Sequence, residues 1–241
     1  MKPFEILNRI TALSSELYIR TLRKKGVSIG DGTVFFPGGR NVDLTRPCLI
    51  EIGRNCVFTQ GVQICTHGYD WAVLREKYGE MFCSSGKVVI GDNVFVGVNT
   101  VILKGVKIGK NVIIGAGSIV TTDIPDNCVA AGNPCRVIMS IEQYFEKRKK
   151  AYVEEAKTYA FELYRKTGRV PGVESFWEEF PIFLQRDSDW GPLPVKKQLG
   201  SAFNNFMNSK PLYPSFDDFL IAAGIPEAKV KSAYPKARTE P

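Results

Sequence analysis

IGDNVFVGVNTVILKGVKIGKNVIIGAGSIVTTDIP, residues 90–125, divides without remainder into six blocks of six. The blocks begin with Ile90, Val96, Ile102, Ile108, Ile114 and Val120, all β-branched and apolar. The second position is Gly in four of the six (Gly91, Gly97, Gly109, Gly115), interrupted by Leu103 and Thr121. The fifth positions are Val94, Thr100, Val106, Val112, Ser118 and Ile124, all small or β-branched. An amphipathic helix repeats near 3.6 residues and a strand near 2, so a sustained period of six fits neither. It fits a chain that makes a short strand, turns, and makes another. The apolar residue then points inward and Gly permits the turn backbone. Three blocks close one triangular coil, and stacked coils share an apolar core. The pattern is the hexapeptide signature of a left-handed parallel β-helix, a mainly β fold.

The same pattern recurs earlier in another frame: IGDGTV from Ile29, IGRNCV from Ile52, FTQGVQ from Phe58 and ICTHGY from Ile64. The gaps between these blocks are not multiples of six. Segments are therefore extruded from the coil near residues 40–50 and again over 68–87. The β-helix domain spans 27–140. Ahead of it, residues 1–26 place Ile6, Ile10, Leu13 and Leu17 at helical spacing, as expected of a helix covering one end of the core. Past Arg136 the period stops, and residues 141–241 read as a helical extension. Its first helix sets Phe145, Tyr152, Ala156, Tyr159 and Leu163 on one face and ends at Gly168 and Pro171.

The chain has 241 residues, enough for one large domain or a domain with an appendage. A content of 44% hydrophobic and 24% charged residues is that of a globular chain able to bury a sizeable core. The net charge of +7 favours anionic partners without choosing among them. No nucleic-acid recognition motif accompanies it, so nucleic acid is not expected as a partner. Six cysteines without a C-x-x-C pair, beside a single histidine, do not make up a zinc set, and no metal is expected. The start of the chain does not read as a secretory signal, and no apolar run approaches the roughly 20 residues that span a bilayer. A cytoplasmic protein with reduced thiols is the expectation. The basic N-terminal helix allows membrane contact without requiring it.

The single histidine is His67, in ICTHGYDW, where a coil strand gives way to the second extruded segment. A loop pushed out from a rigid coil beside the only imidazole is where a site is expected. These residues carry a resemblance. The run from Ile90 through IVTTDIPDNCVAAGNPCRVI is similar to the hexapeptide-repeat acetyltransferases of the maltose and galactoside group. LTRPCLIEIG, THGYDW and GNPCRVI also resemble the sugar O-acetyltransferases of capsular and exopolysaccharides.

The resemblance implies an acetyl-CoA-dependent O-acetyltransferase acting on a sugar hydroxyl of a surface polysaccharide or its precursor. It also implies a homotrimer with sites between subunits. His67 falls at the place of the general base, and the main-chain N–H of Val98, after Gly97, at that of the oxyanion donor. Phe95 falls in the groove near acceptor and thiol, Ala116 and Thr121 along the pantetheine arm, and Arg136 at the nucleotide end of CoA. The chemistry asks for these groups on its own account. A sugar hydroxyl needs a base as it attacks a thioester, and imidazole suits that task. The tetrahedral oxyanion needs a fixed donor, and guanidinium is shaped for phosphate.

Tyr69 and Trp71 are candidates to stack on a sugar ring, and Asp70 to orient His67 or simply to carry surface charge. The sequence departs from the family pattern at Thr121-Thr122-Asp123, where many relatives have T-K-D, and at Met139, where many have a second Arg. Both losses fall near where the CoA 3′-phosphate would lie. Two alternatives stay open: N-acetylation of an amino sugar, and a non-catalytic β-helix scaffold.

Overall fold

The computed structural model describes residues 3–36 and 41–233; for residues 3–12 and 41 it describes the backbone alone. The chain divides into two compact units, Met1–Glu146 and Lys147–Pro241.

The first unit opens with α1 (Pro3–Lys24), followed by β1 (Ser28–Ile29), β2 (Val34–Phe35), β3 (Asn41–Val42), β4 (Ile50–Ile52), β5 (Val57–Phe58) and β6 (Gln63–Ile64). A hairpin of β7 (His67–Gly68), α2 (Trp71–Tyr78) and β8 (Ser84–Ser85) interrupts the series. It resumes with β9 (Val88–Ile90), β10 (Val94–Val96), β11 (Val101–Ile102), β12 (Lys107–Ile108), β13 (Val112–Ile114), β14 (Ile119–Val120) and β15 (Cys128–Ala131), and closes with β16 (Arg136–Ser140).

Apart from the hairpin, successive strands up to β14 join three sheets in rotation, and before β15 an isolated bridge of Ile124 to Ile108 continues the first sheet. The first sheet is β1-β4-β9-β12, the second β2-β5-β10-β13-β15 with β16 at its end, and the third β3-β6-β11-β14. Every pairing in the coil is parallel until β16 turns back antiparallel on β15. The chain thus runs round three sides and returns one layer on.

The repeat accounts for the core. The first-position residues Ile90, Val96, Ile102, Ile108, Ile114 and Val120 are buried, as are all six fifth-position residues. Phe35 and Phe58 stack inside at 4.5 Å. α1 closes that end with Ile19 and Leu22, while Tyr18 meets Phe35 edge-on. The buried Ser15 hydroxyl accepts a hydrogen bond from the Phe35 amide at 2.9 Å, satisfying a donor on an edge strand. The helix therefore covers the core, but with a different face from the one its spacing suggested. Leu13 and Leu17 are 60% and 55% exposed; Ile6 and Ile10 lie outside the residues whose side chains are described.

The second-position glycines have a different reason from the one read in the sequence. Their backbone is not left-handed; they let the next coil approach closely. A Cβ on Gly91 would sit 2.8 Å from the Gly109 carbonyl carbon, and one on Gly97 2.5 Å from the Ala116 nitrogen. The left-handed turn residues are instead the fourth positions, Asn93, Asn99, Gly105, Asn111 and Gly117, with φ from 55° to 84°. Asn tolerates that region better than other L-residues. Here it also builds a ladder, the Asn93 amide donating to Asn111 at 2.9 Å and that of Asn111 to Asn127 at 2.8 Å.

The second unit holds most of α3 (Ile141–Thr167), then α4 (Val195–Leu199), α5 (Phe203–Met207), α6 (Phe216–Ala222) and α7 (Glu227–Ala233). Its core gathers Phe176, Phe180, Phe183 and Phe219 with Ala156 and Ala160 of α3. The inward stripe of α3 is Tyr152, Ala156, Ala160 and Tyr164; Tyr152 and Ala156 face inward as the spacing predicts, whereas Phe145 and Tyr159 are exposed. Gly168, at φ 66°, ends the helix.

Two glycine substitutions separate these requirements. Gly91→Ala must displace backbone of the next coil and is expected to cost about 2–3 kcal/mol. Gly105→Asn has open space and a φ that Asn accepts, so it should change stability by less than about 0.5 kcal/mol. Denaturant midpoints of the two variants check this.

Candidate active site

His67 begins β7, three residues past Ile64, the buried end of β6. The third sheet pairs Asn41 with Gln63 and Val42 with Ile64, and one residue further the Asp43 amide bonds the Ile64 carbonyl at 2.9 Å. That register sets Asp43 beside Cys65 and within reach of the next two residues. Its Oδ2 lies 2.5 Å from His67 Nδ1, and both side chains are only 11% exposed. The same oxygen accepts from the Thr66 amide at 3.0 Å and the Thr66 hydroxyl at 2.6 Å. Oδ1 accepts from the Thr45 amide at 3.0 Å and the Thr45 hydroxyl at 2.7 Å. The Thr45 oxygen is also 3.1 Å from His67 Nδ1.

Burial alone would push the Asp43 carboxyl up. Hydrogen bonds from the hydroxyls and amides of Thr66 and Thr45 outweigh it and hold the group well below the usual carboxylate range. An ionised carboxylate can only accept, so Nδ1 carries the hydrogen and a neutral imidazole keeps its lone pair on Nε2. Nε2 has no hydrogen-bond partner among the described residues and is closed off from solvent. The edge-on neighbour of the imidazole is the Tyr69 ring, at 4.8 Å.

Asp70 does not orient His67. Its carboxylate accepts from Ser84 Oγ at 3.1 Å, tying the two arms of the hairpin together. Trp71, with Tyr69 6.2 Å away and the Arg75 guanidinium 5.3 Å over its ring, opens α2, which buries no side chain. Sequence reasoning missed Asp43, Thr45 and Thr66. Aligning N-V-D at 41–43 with Q-I-C at 63–65 in coil register is the signal that finds the carboxylate.

The other predicted residues lie elsewhere on the coil. Gly97 and Val98 form the turn between β10 and β11, and Ala116 the turn between β13 and β14, one layer on. Among the described residues nothing accepts from the Val98 amide, so its N–H is uncommitted. His67 follows the far ends of the third sheet's strands and Val98 precedes their near ends. Thr121 directly follows β14, and Arg136 opens β16 with its guanidinium donating to the Cys135 carbonyl at 2.8 Å.

Phe95 points outward from the second sheet, 41% exposed, in a groove of about 260 Å³ with Val57 and Ile113. A larger concavity of about 470 Å³ runs past Gly53, Gly91 and Gly109. It contains none of the predicted residues and no buried base or nucleophile, so the chemistry is better located by His67.

The thiols nearest these features are poor nucleophiles. Burial pushes both Cys135 and Cys65 up, and the Asp43 charge adds to the effect at Cys65. Among the described residues no cluster of His, Cys, Asp or Glu is able to hold a metal, and no helix is long and apolar enough to cross a membrane.

Residues 87–122 match the family model described as bacterial transferase hexapeptide (six repeats). Protein CapG of Staphylococcus aureus is 40% identical over 151 residues, covering 60% of this chain and 87% of its own length. A galactoside O-acetyltransferase of Lactococcus lactis is 34% identical over 151 residues, covering 55% of this chain and 72% of its own. The chain belongs to the hexapeptide-repeat acetyltransferases. Among solved structures, a galactoside acetyltransferase in complex with coenzyme A shares 36% identity over 48% of this acetyltransferase and 56% of that chain, with a TM-score of 0.37.

The Asp43 shift gives a test with a definite sign. A carboxylate depressed on folding contributes stability that is fully present above its unfolded value of about 4 and is lost as pH falls through the lower folded value. Wild type should therefore exceed Asp43→Asn in stability at pH 6, and the gap should shrink steadily below about pH 4. Denaturant titrations at several pH values measure it.

Proposed function

We propose that this acetyltransferase moves an acetyl group from acetyl-CoA to a sugar hydroxyl of a surface polysaccharide or its precursor, directly and without a covalent enzyme intermediate. The observation that carries the reading is the Asp43–His67 pair, which fixes the imidazole and leaves Nε2 as its uncommitted basic atom. Nε2 takes the hydroxyl proton as the oxygen attacks the thioester carbonyl. Asp43 holds the imidazolium that forms. The carbonyl oxygen becomes an oxyanion stabilised by the Val98 N–H. Collapse breaks the C–S bond, and the thiolate leaves with the proton returned from Nε2. Phe95, Ala116, Thr121 and Arg136 hold the donor, and Tyr69, Asp70 and Trp71 border the acceptor. With Asp123 committed to the Lys107 amide at 2.8 Å, the 3′-phosphate falls to neighbouring lysines.

In this reading residues 27–140 form the transferase domain, a left-handed coil, with the helix at 1–26 and the extension at 141–241 as appendages of a cytoplasmic homotrimer. Two observations support assembly. His67 follows and Val98 precedes strands of the third sheet, an arrangement in keeping with a site that a neighbouring subunit completes. The outer face of the second sheet also carries an apolar ladder, Val34, Val57, Phe95 and Ile113, in continuous register. The corresponding row on the first sheet is Ser28, Glu51, Val89 and Lys107.

Thiol release from acetyl-CoA with a panel of sugars and amino sugars tests the reading. Acceptor-dependent turnover should appear with hydroxyl acceptors and fall by about 10²–10⁴ in His67→Ala, with CoA binding intact. Turnover confined to amino sugars would replace O- with N-acetylation, and a wild type that neither turns over nor binds CoA would leave a scaffold.

Complementation tests the shared site. His67→Ala and Ala116→Trp should each be inactive alone, and unfolding and refolding them as a mixture should restore part of the activity. No recovery in mixed assemblies would place each site within one chain.

A further inference from the structure

The reactive nitrogen of His67 is sealed. Nε2 is closed to solvent and has no polar partner among the described residues, an unusual state for a buried polar atom. Nδ1 is accounted for by Asp43. The aromatic ring against the imidazole belongs to Tyr69, with centroids 4.8 Å apart and planes nearly perpendicular, and it gives Nε2 no hydrogen bond. Tyr69 itself is 66% exposed and lies in the turn between β7 and α2, a helix with no buried side chain. Little packing opposes an outward swing of this ring, whereas the imidazole is pinned by the buried carboxylate.

We propose that Tyr69 is a gate: its ring keeps water from His67 Nε2 in the empty site and yields its place when an acceptor enters. The inference rests on the acyl-transfer reading and goes beyond it, because a base that activates a sugar hydroxyl also activates water. In the unwanted reaction Nε2 takes a proton from water and the water oxygen attacks the thioester carbonyl. The C–S bond breaks and the thiolate leaves with that proton, giving acetate and free thiol. A closed gate suppresses this loss until a ring-shaped acceptor, which presents its own apolar face, replaces the tyrosine ring. Tyr69 is thus a positioning residue for productive access to the base, with no proton to transfer.

The lone histidine makes the gate measurable without substrate. Diethyl pyrocarbonate acylates an accessible imidazole nitrogen, and mass spectrometry of the peptide carrying His67 reads one site with no second histidine to confuse it. Wild type and Tyr69→Phe should react slowly, and Tyr69→Ala at least tenfold faster. Equal rates in wild type and Tyr69→Ala would overturn the gate.

The second readout is thiol release from acetyl-CoA without acceptor. It should rise in Tyr69→Ala and stay low in wild type and Tyr69→Phe; in an enzyme that turns over acceptor, acceptor-free release from wild type equal to that from Tyr69→Ala would also overturn the proposal. Faster acylation of Tyr69→Ala, with no thiol released by any form with or without acceptor, would sustain the closure of Nε2 and overturn the acyl-transfer reading instead.

Discussion

Each coil bonds its amides to the carbonyls of the coil beside it, as Gly53 does to Ile90, Gly91 to Ile108 and Gly97 to Ile114, at 2.8–2.9 Å. This parallel register is the constraint on which the other features depend. Once it is set, side chains six residues apart fall on corresponding sides, and the first and fifth positions of every block point inward together. The glycines at second positions are a consequence, since two backbones cross there with no room for a Cβ. The asparagines and glycines at fourth positions are another, because each corner must turn through left-handed backbone before the next strand begins.

The same register makes the site. Asp43 and His67 are 24 residues apart and belong to different coils, yet the pairing of β3 with β6 leaves the carboxylate beside the imidazole with four donors from Thr45 and Thr66 already satisfied. A carboxylate held this way stays charged although buried, since its hydrogen bonds outweigh the cost of desolvation. The hairpin that begins with His67 is lightly packed beside the coil. Its helix buries nothing, and its aromatic residues lie on the surface.

Much of this is legible in the sequence, and the rest is hidden for physical reasons. Ile90 to Val120 announce the coil because burial imposes a strict period on residue type. His67 stands out because it is unique and falls where the period breaks. Asp43 does not stand out: a carboxylate near an extruded segment looks like surface charge until the coils are laid in register. Asp70 drew attention only because it is close in sequence, and the chain spends it on Ser84. Spacing alone misplaces the face of α1 and gives that of α3 only in part, because aromatic and aliphatic residues occur on both sides of each. Small residues, Ser15 in one case and Ala156 with Ala160 in the other, mark the sides that pack.

The most direct measurement of the central claim uses the fact that the chain has one imidazole. With ¹⁵N-labelled histidine, the two ring nitrogens give a single pair of resonances above pH 8, where an imidazole is ordinarily neutral. The account predicts a protonated Nδ1 with a strongly deshielded proton, an unprotonated Nε2, and loss of the deshielded signal in Asp43→Ala. A ring protonated at Nε2 instead, or one unaffected by removing Asp43, would contradict it.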